Sequence, residues 1–158
     1  MAGAGAKPEL PHLPDARVLV VEARFYGHIN DLLLAGARAA LEAAEVEITH
    51  LTVPGALEVP PAIAVALAGD GFEAFVALGC VIRGETTHYE LVAGESCRGL
   101  MELGIRHGAA IGNGILTVEN EEQALVRADP DGQDKGGGAA YAALSLLAWR
   151  RRLGIRAA

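Results

Sequence analysis

The chain of 158 residues is short of aromatic residues, cysteine and positive charge, and each shortage removes a class of protein. Three Phe, three Tyr and one Trp must serve the whole molecule, so Ala, Val, Leu and Ile have to build its core, with helices approaching closely at Ala and Gly. Only two cysteines occur, Cys80 and Cys97, with neither a disulfide framework nor metal-ligand spacing; both read as reduced core residues of a cytoplasmic protein, and no metal is expected. The formal charge of −7 and the lack of a Lys/Arg stripe argue against nucleic-acid or anionic-membrane partners. The basic run Arg150-Arg151-Arg152 reads as a solvated helix end that complements the helix dipole. No stretch reaches the roughly 18 apolar residues of a membrane span, and Met1 to Pro14 lacks the basic-then-apolar order of a signal peptide. The glycine fingerprints for dinucleotides and nucleoside triphosphates are missing, as is the Gly-x-Ser-x-Gly nucleophile elbow. Lys135-Gly136-Gly137-Gly138 is a lysine at a glycine-rich helix start, but it follows no strand.

What the chain does have is apolar content, 51% of its residues, in a length that suits one domain. That much apolar surface in so small a unit favours self-association. After a Gly/Ala/Pro-rich tail, residues 1–14, expected to be mobile, a single domain is expected over 15–158. Arg17 to Glu22 reads as a first strand, and Ile29, Leu32, Leu33, Ala37, Ala40, Leu41 and Ala44 recur at helical spacing after it. A second strand is expected over Val46 to Val53, then a helix opened by Pro54 to Pro61 and continued by Ala62 to Leu67. Phe72 to Ile82 is an apolar run without alternation, the pattern of a strand buried on both faces of a parallel sheet. Helices from about Thr87 to His107, Asn120 to Arg127 and Lys135 to Leu153 and a strand over Ala109 to Val118 complete the order βαβαβαβαα. Right-handed crossovers turn that order into an α/β fold, a three-layer α/β/α sandwich around a four-stranded parallel sheet.

Ligands in such folds bind beyond the carboxyl ends of the strands, and three of those ends are rich in chemistry. Gly84-Glu85-Thr86-Thr87 offers backbone N–H groups, hydroxyls and a positive dipole end, which suit a phosphate monoester, or else simply a capped helix start. Arg83 and Arg127 would strengthen an anion site. His88 stands in the first turn of the following helix, where the dipole favours the neutral imidazole of a general base; the plainer reading is a surface histidine. Glu58 is either a dipole-complementing surface acid or a bidentate acceptor for a polyhydroxy ligand. Phe25, in a glycine-containing turn, is either a platform for a planar ring or a lid on the core.

Taken together, Arg24-Phe25, Pro54-Gly55-Ala56-Leu57-Glu58-Val59-Pro60, the segment from Gly79 to His88, Gly114-Ile115-Leu116-Thr117 and Lys135-Gly136 resemble lumazine synthase from about Arg17 to Leu153. The resemblance implies the flavodoxin-like strand order 2-1-3-4. It also implies the penultimate step of riboflavin synthesis: 5-amino-6-(D-ribitylamino)uracil condenses with 3,4-dihydroxy-2-butanone 4-phosphate to 6,7-dimethyl-8-ribityllumazine, with loss of phosphate and water and without metal or cofactor. By that likeness Phe25 stacks on the pyrimidine, Ala56, Leu57 and Glu58 hold the ribityl chain, and Val81 and Ile82 line the ring. Gly84, Glu85, Thr86 and Arg127 would bind the phosphate, Lys135 the uracil side, and His88 would shuttle protons. Arg127 and Lys135 are expected from a neighbouring subunit of a pentamer or a multiple of pentamers, with riboflavin synthase as a further associate. Asn113 stands where relatives often carry an aromatic residue, and a hydrogen bond to the ring is the expected substitute. Gly138 replaces a frequent glutamate. A non-catalytic flavin- or lumazine-binding paralogue and a shell-forming one are the competing readings.

Overall fold

The computed structural model describes residues 9–155. Four strands, β1 (Arg17–Ala23), β2 (Glu47–Val53), β3 (Ala74–Ile82) and β4 (Ala110–Val118), form one sheet in the order 2-1-3-4, and every neighbouring pair is parallel. The helices are α1 (Gly27–Ala43), α2 (Val59–Leu67), α3 (His88–His107), α4 (Glu121–Ala128) and α5 (Lys135–Arg152), with a 3₁₀ turn over Ala56–Glu58. The α/β sandwich and its strand order therefore agree with the sequence reading, and element ends shift by a residue or two, except that the segment expected to open the second helix at Pro54 forms the 3₁₀ turn first and α2 begins only at Val59.

Eight of the nine β3 residues are buried, as the unbroken apolar run demands of a central strand. β2 is an edge strand whose residues are all exposed or half-buried, although it too is rich in β-branched residues. Helix starts follow local chemistry. The Asn120 side chain accepts the Gln123 N–H at 3.0 Å to cap α4, and Asp134, at φ 48°, accepts the Gly137 N–H at 3.1 Å to cap α5. Pro60 stands in the first turn of α2, where a missing N–H costs nothing, and Gly108 ends α3 in the left-handed conformation.

The two faces of the sheet are covered unequally. Val18, Val20, Val76 and Leu78 pack with Leu33, Leu41, Ala140, Leu144 and Leu147 under α1, α4 and α5. On the opposite face Leu19, Val21, Phe75 and Ala77 pack with the buried Val59, Ile63 and Leu100 of α2 and α3 and with half-buried Ala62, Ala66, Leu67 and Leu103. Residues 1–8 of the tail expected to be mobile lie outside the described residues; within 9–14, Leu13 is buried, Leu10 packs against the larger core cluster, and the Leu13 N–H donates to the Ala44 carbonyl at 3.1 Å. Among the described residues no helix is long and apolar enough to cross a membrane.

Candidate active site

The parallel register brings Ala23 level with Val53, Glu22 with Leu78, and Ile82 with Val118, so the turns after β1, β2 and β3 leave the same edge of the sheet. Between them opens a cleft of about 450 Å³. Its walls come from Phe25 and Tyr26 after β1, Pro54 to Glu58 after β2, Cys80, Val81 and Ile82 at the end of β3, Gly84 and Thr86 in the next turn, and His88, Tyr89 and Val92 on α3. Such a volume admits a small polar heterocycle with its side chain.

Each wall has a local cause. Phe25 is 73% exposed at the tip of the β1 to α1 turn, and its ring meets Tyr26 edge-on at 5.0 Å between centroids. Gly55 lies beneath the Glu58 carboxylate, where a Cβ would come to 3.0 Å from Oε2. Cys80 is buried, and that burial pushes its thiol up to about 11, so it presents a neutral wall rather than a nucleophile. Burial also raises the Tyr26 phenol, with Cys80 and Glu121 adding to the effect, and keeps it protonated.

The turn after β3 is built to leave donors open. Thr86 Oγ1 accepts the His88 N–H at 3.3 Å, and Thr86 also lines the cleft. Among the described residues, none of the backbone N–H groups of 84–86 donates to a carbonyl. His88 is the first residue of α3 and is exposed to the cleft. Arg83 is already committed: its Nε donates to Glu119 at 2.7 Å, a second nitrogen pairs with Glu90, and its guanidinium covers the Tyr89 ring at 4.3 Å. Those partners raise the Arg83 pKa further and lower that of Glu90.

Four residues expected at the site do not line this cleft. Glu85 is exposed beside it. Asn113 sits midway along β4, where its Oδ1 accepts the Ile115 N–H at 3.0 Å and its amide lies 3.7 Å from Cys97 Sγ. Arg127, on α4, donates to the Gln123 carbonyl of its own helix at 3.0 Å, and Lys135 opens α5; both helices lie in the layer opposite α3. The sequence reading gave no site role to Tyr26, Pro54, Gly55, Cys80, Tyr89 or Val92. Val92 was accessible from spacing, since it shares a helix face with His88 four residues earlier. Among the described residues no three His, Cys, Asp or Glu side chains are grouped to hold a metal ion.

The family model described as 6,7-dimethyl-8-ribityllumazine synthase matches residues 15–151. The chain belongs to the lumazine synthase family. Relatives named 6,7-dimethyl-8-ribityllumazine synthase include one from Novosphingobium aromaticivorans, 64% identical over 137 residues that span 87% of this chain and 98% of the relative. Another, from Erythrobacter litoralis, is 65% identical across 88% of this chain and 99% of its own length. A third, from Methylobacterium radiotolerans, is 58% identical across 95% and 92%.

Proposed function

We infer that this cleft is where 5-amino-6-(D-ribitylamino)uracil condenses with 3,4-dihydroxy-2-butanone 4-phosphate to give 6,7-dimethyl-8-ribityllumazine, in riboflavin biosynthesis. The observation that carries the assignment of roles is the convergence of Phe25, Glu58, Gly84, Thr86 and His88 on one volume. Phe25 stacks on the pyrimidine, Val81 and Ile82 form the apolar floor, and Glu58 with the backbone of Ala56 and Leu57 takes the ribityl hydroxyls. The open N–H groups at 84–86, at the positive end of α3, receive the phosphate. His88 stands between the two halves and moves protons as the amine attacks the ketone, phosphate leaves and the ring closes. Holding two substrates in contact supplies most of the rate gain.

In this reading one chain supplies only part of the site. Asn113, Arg127 and Lys135 reach the substrates from an adjacent copy in a pentamer or a multiple of pentamers, Arg127 at the phosphate and Lys135 and Asn113 at the ring. The apolar residues left exposed on α2 and α3, Val65 at 77%, Leu91 at 61% and Ile105 at 75%, support such an assembly. Free Cys80 and Cys97 are consistent with a reducing compartment, the cytoplasm.

The test is turnover of the purified protein with both substrates, followed by lumazine absorbance. Wild-type protein forms product above the spontaneous rate, and His88→Ala slows it about 10- to 100-fold without abolishing it. Arg127→Ala raises KM for the butanone phosphate. Tight lumazine binding without product formation would overturn the catalytic reading and leave a binding paralogue.

A further inference from the structure

Glu22 is 0% exposed, on the face of β1 that also carries Val18 and Val20. A carboxylate is retained in such a place only with charged or hydrogen-bonding partners. Its Oε1 accepts from Arg24 Nη1 at 2.5 Å, and its Oε2 lies 3.3 Å from Nε2 of His50 on the neighbouring strand β2. Among the described residues neither of those last two atoms has a hydrogen-bond partner, so the pair faces only itself. The other arm of the Arg24 guanidinium donates to the Gly27 carbonyl at 3.1 Å and to the Asp31 carboxylate. One side chain thereby joins the end of β1, the first residue of α1 and the second turn of α1. Asp31 and Glu22 raise the Arg24 pKa, so the charge that makes these contacts is permanent.

Phe25 stands inside that closed loop. Its ring is largely exposed and, among the described residues, its one aromatic contact is the edge of Tyr26, so packing does not fix it; the backbone of the turn does. We propose that Arg24, anchored by the buried Glu22, is the positioning residue that presents the Phe25 ring to the cleft and so sets affinity for the planar pyrimidine substrate. The inference rests on the reading of Phe25 as the stacking wall. It assigns Arg24 no contact with substrate and no part in phosphate binding. A planar fork is required, since one ammonium cannot meet a buried carboxylate, a carbonyl and a second carboxylate spread around the turn.

Steady-state kinetics with each substrate varied in turn tests this in the full chain. Arg24→Lys keeps the charge but loses the fork, and it is expected to raise KM for ribitylaminouracil about 10-fold while KM for the butanone phosphate and kcat change less than about 2-fold. In a Phe25→Ala background the same substitution is expected to add no more than about 2-fold, because its effect passes through the ring. Equal rises in both KM values, or effects of Arg24→Lys and Phe25→Ala that multiply, would overturn the proposal. Phe25→Ala alone separates the two levels: an unchanged KM for ribitylaminouracil sinks the stacking wall and the proposal with it, whereas a raised KM together with an inert Arg24→Lys sinks the proposal only. Should Arg24→Lys fail to fold, Asp31→Asn removes one arm of the clamp at a solvent-exposed position. It is expected to raise the same KM about 3-fold, and no change there counts against the proposal.

Discussion

The helices on the two faces of the sheet obey different rules. On one face α5 buries seven of its 18 residues, most of them Gly and Ala, and backbone presses on backbone: a Cβ on Gly136 would come to 2.0 Å from the Leu33 carbonyl, and one on Gly112 to 1.8 Å from the Ala139 carbonyl. On the other, α3 is 20 residues long and buries only Ser96 and Leu100. β4 records the difference along its own length, since its residues facing α5 are buried while Ile111, Asn113, Ile115 and Thr117 on the opposite side are half-buried or exposed. The first face packs densely within one chain, and the outer sides of α4 and α5, with Val126, Leu146 and Trp149, stay exposed. The second carries His88 and Val92 of the cleft and leaves Leu91, Met101 and Ile105 in solvent, as expected of a surface that another copy covers in the proposed assembly.

The largest effect should come from a methyl group added to the closed face. Gly136→Ala must push α5 away from α1, and a loss of about 3 kcal/mol is expected, or about 10 °C in Tm. Gly94→Ala is the matched control on α3, where a Cβ meets nothing within 4 Å. Removing a helical glycine there should stabilise the chain by up to about 1 kcal/mol. Thermal unfolding of both variants decides the matter, and equal shifts would dissolve the distinction between the faces. Next in size is Ile105→Glu. At 75% exposure it should alter the stability of an isolated chain by no more than about 0.5 kcal/mol. In the proposed assembly it places a carboxylate in an apolar contact, so dissociation and a loss of turnover of about 10-fold or more are expected. Sedimentation and turnover measured together check it. If both match wild type, the open face is not the interface.

How much of this was legible beforehand follows the same division. The apolar run from Ala74 to Ile82 marks β3 as a central strand in sequence alone, and the turns holding Phe25, Glu58 and His88 share one edge because parallel topology leaves little choice. Both cysteines read as core residues; Cys80 is one, yet it also lines the cleft, since a strand end serves the core and the cleft at once, whereas Cys97 is exposed on α3, a helix that buries little of its surface. Glu22 received no role because a strand-ending glutamate looks solvated in sequence. Only its partner two residues on, on the same strand edge, hinted at the buried pair. Leu13 was assigned to the tail by composition, but its packing depends on a groove that local sequence does not encode. Asn113, Arg127 and Lys135 rest on family likeness, and a site shared between chains, as in the proposed assembly, is not encoded in one chain's spacing.

The smallest and finest distinction lies between the two thiols, one on each face. Cys80 belongs to the larger core cluster and Cys97 is exposed on α3 beside Asn113. Alkylation proceeds through the thiolate, and burial that pushes Cys80 up to about 11 leaves it neutral at pH 8. With iodoacetamide at pH 8, Cys80 should therefore react about 100-fold more slowly than a thiol of ordinary pKa, and its rate should climb about tenfold per pH unit until pH nears that value. Cys97 stands in solvent in a lone chain. Its rate reads the open face directly: slow in the wild-type protein and fast in Ile105→Glu if a neighbour covers α3, equal in both if none does. Peptide mass spectrometry resolves the two sites in one experiment. Rapid labelling of Cys80 at pH 8 would show that the cleft admits water to the end of β3, and the neutral wall assigned to that thiol would then have to be abandoned.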